Sequence, residues 1–392
     1  INKPMKRILL SCLLLPSLVF AQDDLIKKIE GNKSDSNKYV FTVVKNIENT
    51  PVKNQASSGT CWSYSTNSFL ESEMIRMGKE PIDLAEIFTA RCVYKDKADM
   101  YVRLHGGLSW GDGGSCHDVI NVFAKYGALP QSIYAGLNYG TTKNKFGEFQ
   151  GVLKGMLDAV VRNANGTLTP VWKTAFEKVM DVYLGEVPSS FEWKGKTYTP
   201  RSFADQVVGI KPAEYIEFSS FSNYPYYTQV PLLVQDNWDF QKVTNVPMND
   251  ITSIIDHAIA NGYTIAWATD VSEKYFSWKN GVAFVPEKNW EDMEEAEQKS
   301  LFNGKAAERV ITQEMRQKAF DNYETTDDHG MHIVGNAKDQ TGKEYYIVKN
   351  SWGEKNDYKG YIYVSKAYVQ YKTTAFLVHK GAVPKEILSK IK

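Results

Sequence analysis

Residues 331–334, 345–348 and 361–364 are short, largely apolar runs that read as strands. Between the first two runs lies Asp339-Gln340-Thr341-Gly342, a turn signal that predicts an antiparallel hairpin. His329 and Asn350 are nearly equidistant from that turn, so their side chains should lie near each other across the ladder. The N-terminal part is patterned differently. Trp62, Ser65, Phe69, Met74 and Met77 follow near-helical spacing up to Gly78, which predicts a helix beginning at or near Cys61. A second helix fits 118–126, closed by Gly127 and Pro130. The expected class is therefore α+β, helices first and an antiparallel sheet last, with a cysteine on one part and a His/Asn pair on the other. Cys61 stands at a helix N-terminus, where unpaired N–H groups and the helix dipole favour negative charge.

Between these parts, 149–163 and 171–184 read as helices, and the aromatic stretch 218–231 reads as packing material. A helix over 249–260 and β-like runs at 263–269 and 282–286 follow, and the acidic 291–297 stretch is expected to be solvated. The 392 residues carry 46 basic and 46 acidic side chains with 43% hydrophobic content. That balance excludes a strongly basic nucleic-acid binder and a charge-rich disordered chain.

Lys6 and Arg7 precede an apolar run from Ile8 to Leu15, and Val19-Phe20-Ala21 follows. This is the pattern of a secretory signal peptide starting at Met5 and cleaved after Ala21, which predicts an exported protein, periplasmic or extracellular. The run is too short to span a bilayer, which takes about 20 apolar residues. Leu9-Leu10-Ser11-Cys12 superficially resembles a lipoprotein site, with few apolar residues ahead of it. Cys61, Cys92 and Cys116 remain after cleavage. An odd count leaves at least one thiol free.

Nucleophilic catalysis by cysteine needs a thiolate, a histidine to hold the proton, a group to orient that histidine, and donors for the oxyanion. Pro51-Val52-Lys53-Asn54-Gln55-Ala56-Ser57-Ser58-Gly59-Thr60-Cys61-Trp62, then Asp328-His329-Gly330-Met331, then Lys349-Asn350-Ser351-Trp352-Gly353-Glu354 resemble, in order, the active-site segments of papain-like cysteine peptidases. The Ser-Ser-Gly before Thr-Cys-Trp is in the style of the bleomycin hydrolase/aminopeptidase C branch. The resemblance implies a papain-like fold, with the site in a cleft between a helical and an antiparallel β-sheet subdomain. It implies Cys61 as nucleophile with a depressed pKa, His329 as base, Asn350 as its orienting partner, and Gln55 as oxyanion donor beside the backbone N–H of Cys61. Trp352 would shield the His–Asn bond. Gly113 and Gly114, within Asp112-Gly113-Gly114, would let a substrate main chain approach.

The layout expected on this basis is a leader over 1–21, an arm over 22–48, a helical subdomain over 49–140 and a helical or irregular insertion over 141–248. A β-rich subdomain over 249–383 and a tail over 384–392 complete it. No cofactor or metal is expected. Peptides are the expected partners, without nucleic acid or stable membrane insertion, and a homo-oligomer, a hexamer in this branch, is implied by resemblance. The branch also implies a C-terminal tail lying in the cleft, its carboxylate meeting the substrate ammonium. His332 competes with His329 for the base, but three residues apart on a strand they point to opposite faces. Asp327 and Asp328 either favour the imidazolium or form a solvated acidic loop. Ser58 stands where secreted papain relatives have a disulfide cysteine, whose partner position matches Cys92, while Cys92 could instead pair with Cys116. The alternatives to an aminopeptidase are a cysteine endopeptidase and a catalytically silent peptide-binding protein.

Overall fold

The computed structural model describes residues 39–163, 166–304 and 306–392. The leader pattern therefore lies outside the described residues. In chain order the elements are β1 (Phe41–Asn46), α1 (Cys61–Arg76), α2 (Glu86–Arg103), α3 (Cys116–Lys125), α4 (Phe146–Val161), α5 (Val171–Leu184), β2 (Phe191–Trp193), β3 (Lys196–Tyr198), α6 (Pro200–Phe203), β4 (Tyr215–Ser219), β5 (Gln229–Pro231) and β6 (Lys242–Asn245). There follow α7 (Met248–Ala260), β7 (Ile265–Thr269), β8 (Phe276–Ser277), β9 (Val282–Ala283), α8 (Glu295–Ser300), α9 (Gln313–Asp321), β10 (His329–Asp339), β11 (Glu344–Lys349), β12 (Tyr361–Ser365), α10 (Lys366–Lys372), β13 (Thr373–His379) and α11 (Lys385–Leu388).

A single sheet in the order β5-β6-β4-β13-β7-β10-β11-β12-β9-β8, with β1 added to β10, carries the C-terminal part. It is mixed and not purely antiparallel, since β4 runs parallel to β6 and β12 to β9. The sheet divides two cores by simple alternation. Trp267 and Phe376 turn to the core built with α7, whereas their neighbours Ala266 and Leu377 belong to the core of the helical half. That helical core gathers Trp62 and Leu70 of α1, Val93 of α2 and Val119 of α3, and also Leu153, Phe176 and Met180.

Residues 141–248 thus do not stand apart. Their helices α4 and α5 complete the helical core, and their strands β4–β6 extend the sheet. The end of the 22–48 arm is strand β1, paired with β10. Only glycine fits at Gly335 there, because a Cβ would stand 2.2 Å from the carbonyl oxygen of Lys45.

Helix α1 runs between the sheet and the helical half, so every residue from Cys61 to Met74 is buried. Several of its polar groups are held by hydrogen bonds: Asn67 Nδ2 donates to the carbonyl of Ser63 at 2.9 Å, and Glu71 accepts from the Leu84 N–H at 2.9 Å. The tail takes a different course from the expected one. Ile391 packs on the α7 core, and the Lys392 N–H donates to the Tyr227 carbonyl at 3.0 Å, while the Tyr227 hydroxyl holds Asp250 of α7.

Candidate active site

The turn from Asn54 to Thr60 delivers Cys61 to the first position of α1. Asp112 clamps that turn, accepting the Gly59 N–H at 2.5 Å through its side chain and the Trp62 indole N–H at 3.0 Å through its carbonyl. A side chain at Gly59 would collide with the Asp112 carboxylate, its Cβ 2.6 Å from Oδ1. The tight turn therefore depends on that glycine.

Strand β10 opens with His329, and Asn350 directly follows β11. Their side chains meet, with His329 Nε2 2.7 Å from Asn350 Oδ1. The ladder reaches this by a register shifted from the expected one. A bulge between Ile333 and Gly335 offsets the strands, and His332 pairs with Lys349. Trp352 accordingly comes to lie against His329, ring centroids 4.6 Å apart and tilted by 32°.

Since Asn350 Oδ1 can only accept, Nε2 carries the proton and Nδ1 is left with its lone pair. Nδ1 is buried without a hydrogen-bond partner, and His329 lines a small pocket together with Cys61. His332 is placed otherwise. Gly330 and His332 face α1, the latter through His332 Nδ1 and Ser68 Oγ at 3.0 Å, while Met331 turns to the α7 core. The strand-face separation of the two histidines thus holds in the structure.

Burial sets the protonation of the pair. Cys61 is 8% exposed and His329 2%. Desolvation pushes the Cys61 thiol up to about 12 against the backbone N–H groups of Gly330 and Trp62, with Asp236 and Asp327 adding to the rise. Dehydration and two nearby carboxylates thus act against the depressed pKa expected from the helix terminus. Desolvation likewise lowers His329 to about 4, with the Asn350 contact opposing it. Burial thus acts against the charged form of both the thiol and the imidazole.

Gln55 is fully buried, its Oε1 accepting from Ser351 Oγ at 2.6 Å and its Nε2 donating to the Ser58 carbonyl at 2.7 Å. One of its two amide N–H bonds is thus committed to the turn before Cys61. Gly114 has no room for a side chain, since a Cβ would stand 2.8 Å from the Trp62 ring. At Gly113 the obstruction is the Asp236 carboxylate, 2.2 to 2.4 Å from the Cβ position. Asp236 and the neighbouring Leu232, which lines the same pocket, lie between β5 and β6. Sequence reasoning missed both, and a lone Asp after an aromatic stretch offered no signal. Cys61, Cys92 and Cys116 are all free thiols, so neither cysteine pairing exists here.

The Peptidase C1-like family matches residues 85–392. The chain belongs to that family. It is a cysteine-type peptidase with a papain-like α+β fold. Among its relatives, the mitochondrial cysteine proteinase 1 of Saccharomyces cerevisiae is 23% identical over 94% of this chain and 82% of its own length. Aminopeptidase C of Streptococcus thermophilus is 22% identical over 93% of this chain and 88% of its own. Bleomycin hydrolase of Rattus norvegicus is 25% identical over 90% and 85%. The crystal structure of PepW from Lactobacillus rhamnosis superposes with a TM-score of 0.68 at 17% identity, covering 95% of this chain and 87% of that one. No helix among the described residues of this peptidase is long and apolar enough to cross a membrane.

Proposed function

We propose that this peptidase acts as an aminopeptidase through Cys61, His329, Asn350 and Gln55. The observation that carries the site assignment is the 2.7 Å His329–Asn350 contact, which leaves Nδ1 unpartnered on a histidine that lines the same pocket as Cys61. In the first half-reaction, Cys61 Sγ attacks the scissile carbonyl carbon as its proton passes to His329 Nδ1. The oxyanion receives the Cys61 backbone N–H and the second N–H of Gln55 Nε2. Collapse breaks the C–N bond, His329 returns the proton to the leaving amine, and a thioester remains. Water then attacks the thioester with His329 again taking the proton, and the acid leaves as the thiol is restored.

Aminopeptidase C, among the relatives, supports exopeptidase action on free N-termini. Gly113, Gly114 and Trp352 are assigned to the substrate side of the cleft, on the close approaches described above. Export is proposed from the basic and apolar leader pattern of residues 6–21, and N-terminal sequencing of the mature protein tests it. A hexamer is proposed from the branch resemblance, to be read by light scattering.

The deciding experiment digests peptides bearing free or acetylated N-termini, with mass spectrometry as readout. Stepwise loss of N-terminal residues from the free peptides alone is expected, and a folded Cys61→Ala variant should show none. Internal cleavage of both peptide sets would replace this reading with an endopeptidase. Wild-type turnover by Cys61→Ala would remove the cysteine mechanism.

A further inference from the structure

Beside Cys61 the cleft narrows to a cavity of about 20 Å³ that Asp236, Asp327 and Asp328 help to line. This is space for one group the size of a water molecule. It is too small for a further amino-acid residue on the N-terminal side of the scissile bond. His329 lines the same cavity, and its Nδ1 is buried and unpartnered. The cavity therefore adjoins the atoms assigned to the chemistry.

Asp236 is held firmly. The Asn237 side chain donates to the carbonyls of Leu232 at 2.7 Å and Gln241 at 2.9 Å, closing the loop on itself. Trp238 Nε1 ties the loop to Asp118 of α3 at 3.1 Å, and Asp239 meets His117 Nε2 at 3.3 Å while His117 Nδ1 meets Glu217 at 2.6 Å. The Asp236 carboxylate nonetheless accepts no hydrogen bond from any described residue, unlike Asp328, which caps the N–H groups of Val271 and Ser272. Asp327 receives the Thr374 hydroxyl at 3.2 Å. The nearby cation is Lys97, whose Nζ is engaged by the carbonyls of Gly111 and Gly113.

We propose that Asp236, sharing this cavity with Asp327, is the specificity-determining residue that receives the α-ammonium of the substrate's first residue and bars any residue before it. The assignment rests on the aminopeptidase reading and deepens it. An ammonium has the size of the cavity, supplies the donors that the free carboxylate lacks, and offsets the local excess of negative charge. An acetylated or extended N-terminus meets the carboxylate over Gly113, which lies against the position that a peptide main chain would need. The tail residues 384–392, which the resemblance placed in this role, do not line the cavity.

The test uses the full chain and three fluorogenic amides of equal acyl length: leucyl, N-acetyl-leucyl and 4-methylpentanoyl, the last lacking the ammonium. Asp236→Asn preserves shape and should lower kcat/KM for the leucyl substrate about 10- to 100-fold, mainly through KM, as loss of a charged hydrogen bond does. The 4-methylpentanoyl substrate should change by no more than about threefold, and Asp236→Glu should recover part of the leucyl rate. Equal losses on the leucyl and 4-methylpentanoyl substrates would make Asp236 structural and overturn the assignment. So would unaltered leucyl kinetics in Asp236→Asn. If instead the wild-type enzyme cleaves the acetylated substrate as well as the free one, the aminopeptidase reading itself fails, whatever the variants do.

Discussion

Replacing Asn350 by Ala isolates what the third member of the constellation does. Asn350 Oδ1 accepts His329 Nε2–H at 2.7 Å and the Ser351 N–H at 2.7 Å. The substitution leaves the imidazole N–H without a partner in a residue 2% exposed, a loss worth about 1–3 kcal/mol. If the whole loss falls on the orientation and tautomer of the imidazole, kcat should drop about 5- to 150-fold with little change in KM. The drop should stop short of the Cys61→Ala result, because Trp352 still bounds the ring at 4.6 Å. The assay is steady-state hydrolysis of a leucyl amide, paired with thermal denaturation to count only folded enzyme. Asn350→Asp keeps an acceptor and adds negative charge, which should raise His329 from its burial-lowered value and move the acid limb of kcat to higher pH. A change below about twofold in Asn350→Ala would remove the orienting role. Total loss in a protein with native thermal stability would equally refute the argument, since an orienting contact of this size cannot account for it.

His329→Ala should be inactive, whereas His332→Ala, which loses a contact to Ser68 on α1, should lower the melting temperature yet keep kcat within a few-fold; the reverse pattern would move the base to His332. Gly114→Ala pushes a methyl against the Trp62 ring and, at 2.9 Å, the Asp118 carboxylate; it should raise KM and destabilise the fold by about 1–3 kcal/mol, as read by denaturant unfolding. The ratio of kcat/KM for leucyl to acetyl-leucyl substrates cancels ionisations of Cys61 and His329 common to both. Desolvation raises Asp236 to about 6, opposed by Lys97 and reinforced by Asp112 and Asp328. The carboxylate gains its proton as pH falls through that value and the substrate α-ammonium loses its own at about pH 8, so the ratio should be high between about pH 6 and 8 and decline below that window. A ratio flat from pH 5 to 8, about the range in which such a group titrates, would show that no titrating carboxylate selects the free amine.

The parts of this molecule legible in the sequence are those set by neighbouring residues. Helix α1 follows from apolar spacing after Cys61 and the stop at Gly78, which has a φ of 71°. The β10–β11 hairpin follows from its turn, although the bulge at Ile333/Gly335 defeats residue counting. Helix α2 carries the same kind of signal, with Ile87, Ala90, Tyr94, Ala98 and Tyr101 at helical spacing and all buried. The surroundings of Cys61 could not be reached this way. A helix terminus is visible in a sequence, whereas dehydration and opposing charge depend on which distant segments close over it. Asp112 follows α2, Asp236 lies between β5 and β6, and Asp327 and Asp328 precede β10, so their convergence is a product of the sheet order that brings β4, β13, β7 and β10 side by side. The motifs name the residues able to break an amide bond. The selection of an N-terminal residue proposed for Asp236 arises from a loop whose own sequence carries no mark of that task, and its chemistry exists only because Gly113 leaves room for a carboxylate above it.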